Sequence, residues 1–230
     1  MDYIFDGIIW AFFLLFNGDA QTYSAIKATL YTSSISIVIS LIIGLPIGFL
    51  LGFYKFFGAK ILKFISDTML AMPTVAIGLI IYAFITRHGP LGEFGLLFTL
   101  KAVIIGQIIL ALPIIISLSA SVVENIDEKH YFTIISYRLT PLKLALCVIY
   151  ELRYSLLVVV ATAYGRIVAE VGVAMLVGGN IKYFTRTITT AISLETNKGE
   201  FAMGIALALV LIFIAFLVNL AIHIFKRLDR

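Results

Sequence analysis

Five blocks of the sequence, about residues 30–52, 69–86, 102–123, 155–177 and 202–225, are apolar for long enough to cross a lipid bilayer, which takes about 20 helical residues. Composition agrees: 61% of the chain is hydrophobic and 13% charged, against about 45–50% and about 25% in a soluble domain. The expectation is an all-α integral membrane protein, a single transmembrane domain over residues 1–230 with about five spans. The early block Ile8–Phe16 is too short to be one of them: nine residues make about 13 Å of helix against a ~30 Å hydrocarbon core. It reads as an N-terminal interfacial helix anchored by Tyr3 and Trp10, with a short sixth span as the alternative. Asp2 and Asp6 stand where a signal peptide would be basic, so none is expected.

Lysine and arginine placement sets orientation. Lys55, Lys60 and Lys63 follow the first span, Lys129, Arg138 and Lys143 the third, and Lys226, Arg227 and Arg230 the last; Arg153 edges the fourth. All fall on one side, which is therefore cytoplasmic. Lys27, Arg87, Lys101, Lys182, Arg186 and Lys198 fall on the other. Pro46, Pro73 and Pro113 lie inside spans, where each removes a backbone donor and is expected to kink its helix.

Several chemistries are missing. There is no phosphate loop, HExxH, CxxC or nucleophile elbow, and His88, His130 and His223 are scattered. No metal, cofactor or catalytic site is expected. No basic patch interleaved with aromatics suggests nucleic acid, and the single Cys147 cannot form an internal disulfide. If such a protein drives uphill movement, the fuel is consumed on another chain.

The cytoplasmic loop before the fourth span, "ENIDEKHYFTIISYRLTPLKLALCVIYELR", carries a short amphipathic helix over Lys129–Arg138. Tyr131, Ile134, Ile135 and Arg138 share a face that Phe132 and Tyr137 broaden. Thr140-Pro141 then starts a new helix. Exposed aromatics on such a helix suit either a protein partner or the membrane surface.

The fourth span holds the sharpest oddity, "GRIVAEVGVAMLVGGN". Arg166 and Glu170 stand four residues apart, so on one helix they share a face. An arginine at mid-span costs about 2.5–3.5 kcal/mol on insertion scales, which keeps this face away from lipid. The pair is read either as a mutual tie to neighbouring helices or as part of a pathway. Gly178-Gly179-Asn180 marks a helix stop and a sharp turn. Beyond it, Lys182, Arg186 and Lys198 mingle with the hydroxyls of Thr185, Thr187, Thr189 and Thr190. That mixture suits a tetrahedral anion, or else an ordinary loop whose hydroxyls cap helices.

The run "GRIVAEVGVAMLVGGNIKYFTRTITTAISLETNKGEF" resembles the tungstate branch of the molybdate/tungstate/sulfate permeases of ABC importers, as do "AMPTVAIGLIIY" and "LGEFGLLFTLKAVIIGQIILALPIIISL". The cytoplasmic loop departs from the family pattern: Phe132 stands where a glutamate is usual and Arg138 where a glycine is. The resemblance implies an inner-membrane homodimer among lipid, with an ATP-binding subunit beneath and an extracytoplasmic oxyanion-binding protein above. It also implies that Lys129, Tyr131, Phe132, Ile135, Arg138 and Pro141 belong to a coupling helix that meets the ATPase. Arg166, Glu170, Gly178, Gly179, Asn180, Arg186 and Thr189 then become candidate pathway or gate residues. A molybdate, sulfate or phosphate permease is the alternative within the class, and an ion-driven secondary transporter the alternative outside it.

Overall fold

The computed structural model describes residues 2–127, 136 and 139–228. Its described elements are helical: α1 (Asp2–Phe16), α2 (Ala20–Phe53), α3 (Ala59–Leu70), α4 (Thr74–Ile85), α5 (Leu100–Glu124), α6 (Pro141–Glu151), α7 (Arg153–Val168), α8 (Gly172–Gly178), α9 (Ile188–Asn197) and α10 (Phe201–Leu228). Only α2, α5 and α10 are each long and apolar enough to cross a membrane unaided; α3 with α4 and α6 with α7 pass that test only as bent pairs.

The first span is longer than its apolar run. At 34 residues, α2 measures about 51 Å and begins at Ala20 rather than near residue 30. The extra turns are richer in polar side chains, and threonine hydroxyls along this stretch bond back to the helix itself. Thr29 Oγ1 donates to Ala25 O (2.8 Å) and Thr32 Oγ1 to Ala28 O (2.9 Å). Asp19 caps the start, its Oδ2 accepting from Thr22 N at 2.8 Å.

The central packing is α2 against α5. Along α2, small residues recur every fourth position: Ser36, Ser40, Gly44, Gly48 and Gly52. This seam lets the two backbones approach closely, since lipid supplies no hydrophobic drive to bring helices together. A Cβ at Gly48 would lie 1.9 Å from Ser119 Oγ, and one at Gly52 2.5 Å from Ala120 O. Ile37, Ala111, Ile115, Ala163 and Ile167 fill the junction of α2, α5 and α7. Ile77, Ile81, Val103, Val173 and Val177 fill that of α4, α5 and α8. Ala11 and Leu14 seat α1 along α10 at Ala206, Leu207 and Val210, while Phe5, Ile9, Phe12 and Phe16 point away, exposed.

Two spans expected as single helices are broken. The span placed at 69–86 is corrected to α3 and α4, bent by 102° across Ala71–Pro73, where the proline lacks a backbone donor. Pro46 and Pro113 sit inside unbroken helices, so proline alone does not decide. Here α3 is also tied to α5, by a Lys63–Glu124 ion pair and a Ser117 hydroxyl donating to Asp67 Oδ1. The span placed at 155–177 is corrected to α7 and α8, separated at Ala169–Val171. A further bend of 77° separates α6 from α7.

Candidate functional site

The break between α7 and α8 changes what Arg166 and Glu170 do. A continuous helix would stack them one turn apart. Here α7 ends at Val168, and the two charges separate. Glu170 is buried, 4% exposed, and its Oε1 accepts from Val173 N (3.1 Å) in the first turn of α8. Arg166 occupies the last turn of α7, is exposed, and has no ion-pair or hydrogen-bond partner among the described residues. Each charge complements a helix end that the break creates, carboxylate at an N-terminus and guanidinium at a C-terminus. The expectation of a shared face is corrected accordingly.

A residue that sequence reasoning passed over supports the break. Gln107 of α5, 2% exposed, donates through Nε2 to Ile167 O (3.4 Å), a carbonyl in the last turn of α7 that also accepts from Glu170 N at 3.3 Å. Its Oε1 accepts from Ser36 Oγ of α2 at 3.1 Å. The signal was present: a lone amide inside "AVIIGQIILAL" is the kind of intramembrane polar residue that takes partners on other helices.

At the outer end, α8 stops at Gly178, and Gly179 (φ 70°) with Asn180 (φ 50°) take left-handed backbone. A Cβ at Gly179 would also come within 2.6 Å of the Phe98 ring, so both conformation and space require glycine there. The threonines that follow are buried and engaged internally. Thr187 caps α9 in a capping box with Thr190. Thr185 Oγ1 donates to Gly178 O, and Thr189 Oγ1 donates to Glu170 O (2.9 Å). Ile188 N donates to Thr29 Oγ1 of α2 at 2.9 Å. Of the two readings offered for these hydroxyls, they follow the helix-capping one. The cations behave differently: Lys182, Arg186 and Lys198 converge on one cavity of about 340 Å³ beside the start of α2.

Of the expected coupling residues, Lys129, Tyr131, Phe132, Ile135 and Arg138 lie outside the described residues. Pro141 is the exposed first residue of α6, where Thr140-Pro141 was expected to start a helix.

The sequence model of the binding-protein-dependent transport system inner membrane component family matches residues 44–228. The chain belongs to this family. It is accordingly a multi-pass inner-membrane transport component, built on the apolar helices described above. Among relatives in the family, the tungstate uptake system permease protein TupB of Campylobacter jejuni is 67% identical over 227 residues, 99% of this chain and 95% of its own. A second protein of that name, from Peptoclostridium acidaminophilum, is 34% identical over 223 residues, covering 97% of this chain and 98% of its own. The fold matches that of a chain from an inward-facing structure of the MetNI methionine ABC transporter, with a TM-score of 0.72 at 20% identity, over 91% of this chain and 96% of that one.

Proposed function

We propose that this chain is the permease subunit of an ATP-driven tungstate importer. The observation that carries the reading is the 67% identity to a tungstate uptake permease, maintained over 99% of the chain. The structural features support it. An exposed Arg166 on a span is costly against lipid, by about 2.5–3.5 kcal/mol. Its face suits instead a water-filled route or a second copy of the chain. Two copies would enclose the route between them, an oxyanion-binding protein would deliver from outside, and a separate ATP-binding subunit would hydrolyse ATP below. In this reading the segment from Lys129 through Tyr131, Phe132, Ile135 and Arg138 to Pro141 transmits the ATPase stroke. Arg166 and Glu170 flank the mid-membrane break. Gly178, Gly179, Asn180 and Arg186 form the outer end of the route, and Thr189, bonded to Glu170 O, links that end to the break. ATP-driven closure of the subunits below would open the membrane halves outward, and hydrolysis would reset them.

Two measurements test this. The tagged chain, solubilised gently, co-purifies with an ATPase; a chain that transports alone in proteoliposomes is an ion-driven transporter instead. In cells lacking the chain, labelled tungstate uptake falls far more than molybdate or sulfate uptake. A deficit confined to one of the latter reassigns the substrate.

A further inference from the structure

We propose that the cavity at the outer end of α2 is an acceptor site for a tetrahedral oxyanion within the permease itself; this deepens the importer reading and rests on it. The cavity lies between the first turns of α2, the turn at 180–187, α9 and the start of α10, and its volume is about 340 Å³. It sits at the end of α2 remote from Lys55, Lys60 and Lys63, and so on the extracytoplasmic side, where an imported anion arrives.

Its charged lining comprises Lys182, Arg186, Lys198, Asp19 and Glu195. Both carboxylates are engaged. Asp19 Oδ2 accepts from Thr22 N (2.8 Å) and Thr22 Oγ1 (2.7 Å), and Glu195 Oε1 pairs with Lys198 Nζ at 3.0 Å. Lys182 and Arg186 have no carboxylate partner among the described residues. Lys182 Nζ rests 5.2 Å from the Tyr183 ring centroid, a contact worth only about 0.5–1 kcal/mol at an exposed site.

Arg186 is the built part. Its Nε donates to Asn180 Oδ1 (3.1 Å) and its Nη2 to Asn180 O (3.5 Å). These bonds hold the guanidinium by one edge. Of its five N–H groups, those on the other edge stay available in a fixed plane, the arrangement that grips an oxyanion bidentately. The position in the chain is consequential. Asn180 Nδ2 donates to Thr190 O (3.3 Å), and the neighbouring Thr189 reaches Glu170 O. An anion on Arg186 thus loads the same turn that holds the mid-membrane break.

The test is equilibrium binding of labelled tungstate to the full-length chain in lipid nanodiscs, without binding protein, with sulfate as competitor. Wild type binds saturably, and R186Q and K182Q each weaken binding by about tenfold or more, as loss of a charge-assisted donor requires. R186K, which keeps the charge and loses the fork, falls between wild type and R186Q and carries the test should R186Q aggregate. K27Q, on a different recess of α2, leaves binding unchanged. No saturable binding by wild type, or wild-type binding by both R186Q and K182Q, overturns the site. Cellular uptake separates the two ideas: tungstate uptake without binding to the permease removes the site and keeps the importer. A wild-type chain that supports uptake of no oxyanion removes the importer reading itself.

Discussion

The Thr189 hydroxyl donates to the Glu170 backbone carbonyl at 2.9 Å, joining the first turn of α9 to the break between α7 and α8. Both residues are 4% exposed, so no water replaces the bond. Thr189→Val keeps the shape and removes the donor. It is expected to destabilise the solubilised protein by about 1–3 kcal/mol, the cost of a buried unsatisfied carbonyl, read as a lower melting temperature. An unchanged melting temperature places the strength of this junction elsewhere, in Thr187 or in Gln107.

Glu170 separates capping from charge. Glu170→Gln retains an oxygen to accept from Val173 N, whereas Glu170→Ala retains none. If the side chain serves chiefly as a cap, the glutamine variant keeps the wild-type melting temperature and the alanine variant loses about 0.5–2 kcal/mol. Uptake that collapses equally in both, with stability intact, gives the carboxylate a role beyond the helix end.

The apolar blocks were legible because lipid leaves a chain few options: a long run without charges must close its hydrogen bonds internally. The breaks were less so. Ala169–Val171 holds no proline or glycine, so its one charge, Glu170, reads as a polar residue within a continuous span; the contacts made at the break are tertiary, Gln107 on α5 taking Ile167 O and Thr189 on α9 taking Glu170 O. Sequence spacing alone therefore kept Arg166 and Glu170 on one helix face. Pro46, Pro73 and Pro113 carry the same local signal, yet only Pro73 separates two helices. The early start of α2 was hidden by Gln21, Thr22, Ser24, Lys27 and Thr29, which lower hydropathy although the stretch is helical and the Thr29 hydroxyl bonds back along it. The outer cations were readable as a group, but their sharing of one cavity with Asp19 depends on α2 reaching that far out.

Gly48 tests the seam between α2 and α5. A Cβ there would meet Ser119 Oγ at 1.9 Å and Ser119 Cβ at 3.1 Å. Gly48→Ala is expected to cost about 1–3 kcal/mol by overpacking, and Ser119→Ala in the same chain recovers part of the loss by removing the oxygen. The coupling is read as a double-mutant cycle on melting temperature. Strictly additive effects mean the helices separate instead of repacking.

Tyr131 and Ile135 test the transmission segment, which the amphipathic pattern assigns to a partner. Replacing both with aspartate introduces charge into an apolar contact. It is expected to abolish co-purification with the ATPase while leaving the chain monodisperse in detergent. Retained association moves the docking surface to another cytoplasmic segment.

Arg166 decides whether the exposed face of α7 meets water or lipid. On a route for anions, the guanidinium attracts the substrate and stays hydrated. Arg166→Gln is then expected to lower tungstate uptake by about tenfold or more, with assembly and melting temperature preserved, because among the described residues no partner is left unpaired. Arg166→Leu sharpens the contrast. Against lipid, leucine relieves a cost of about 2.5–3.5 kcal/mol, so the protein melts higher and uptake continues. Against water, leucine gains no such stability and uptake stops. A more stable, fully active Arg166→Leu variant would take this residue off the route and leave the face of α7 to lipid.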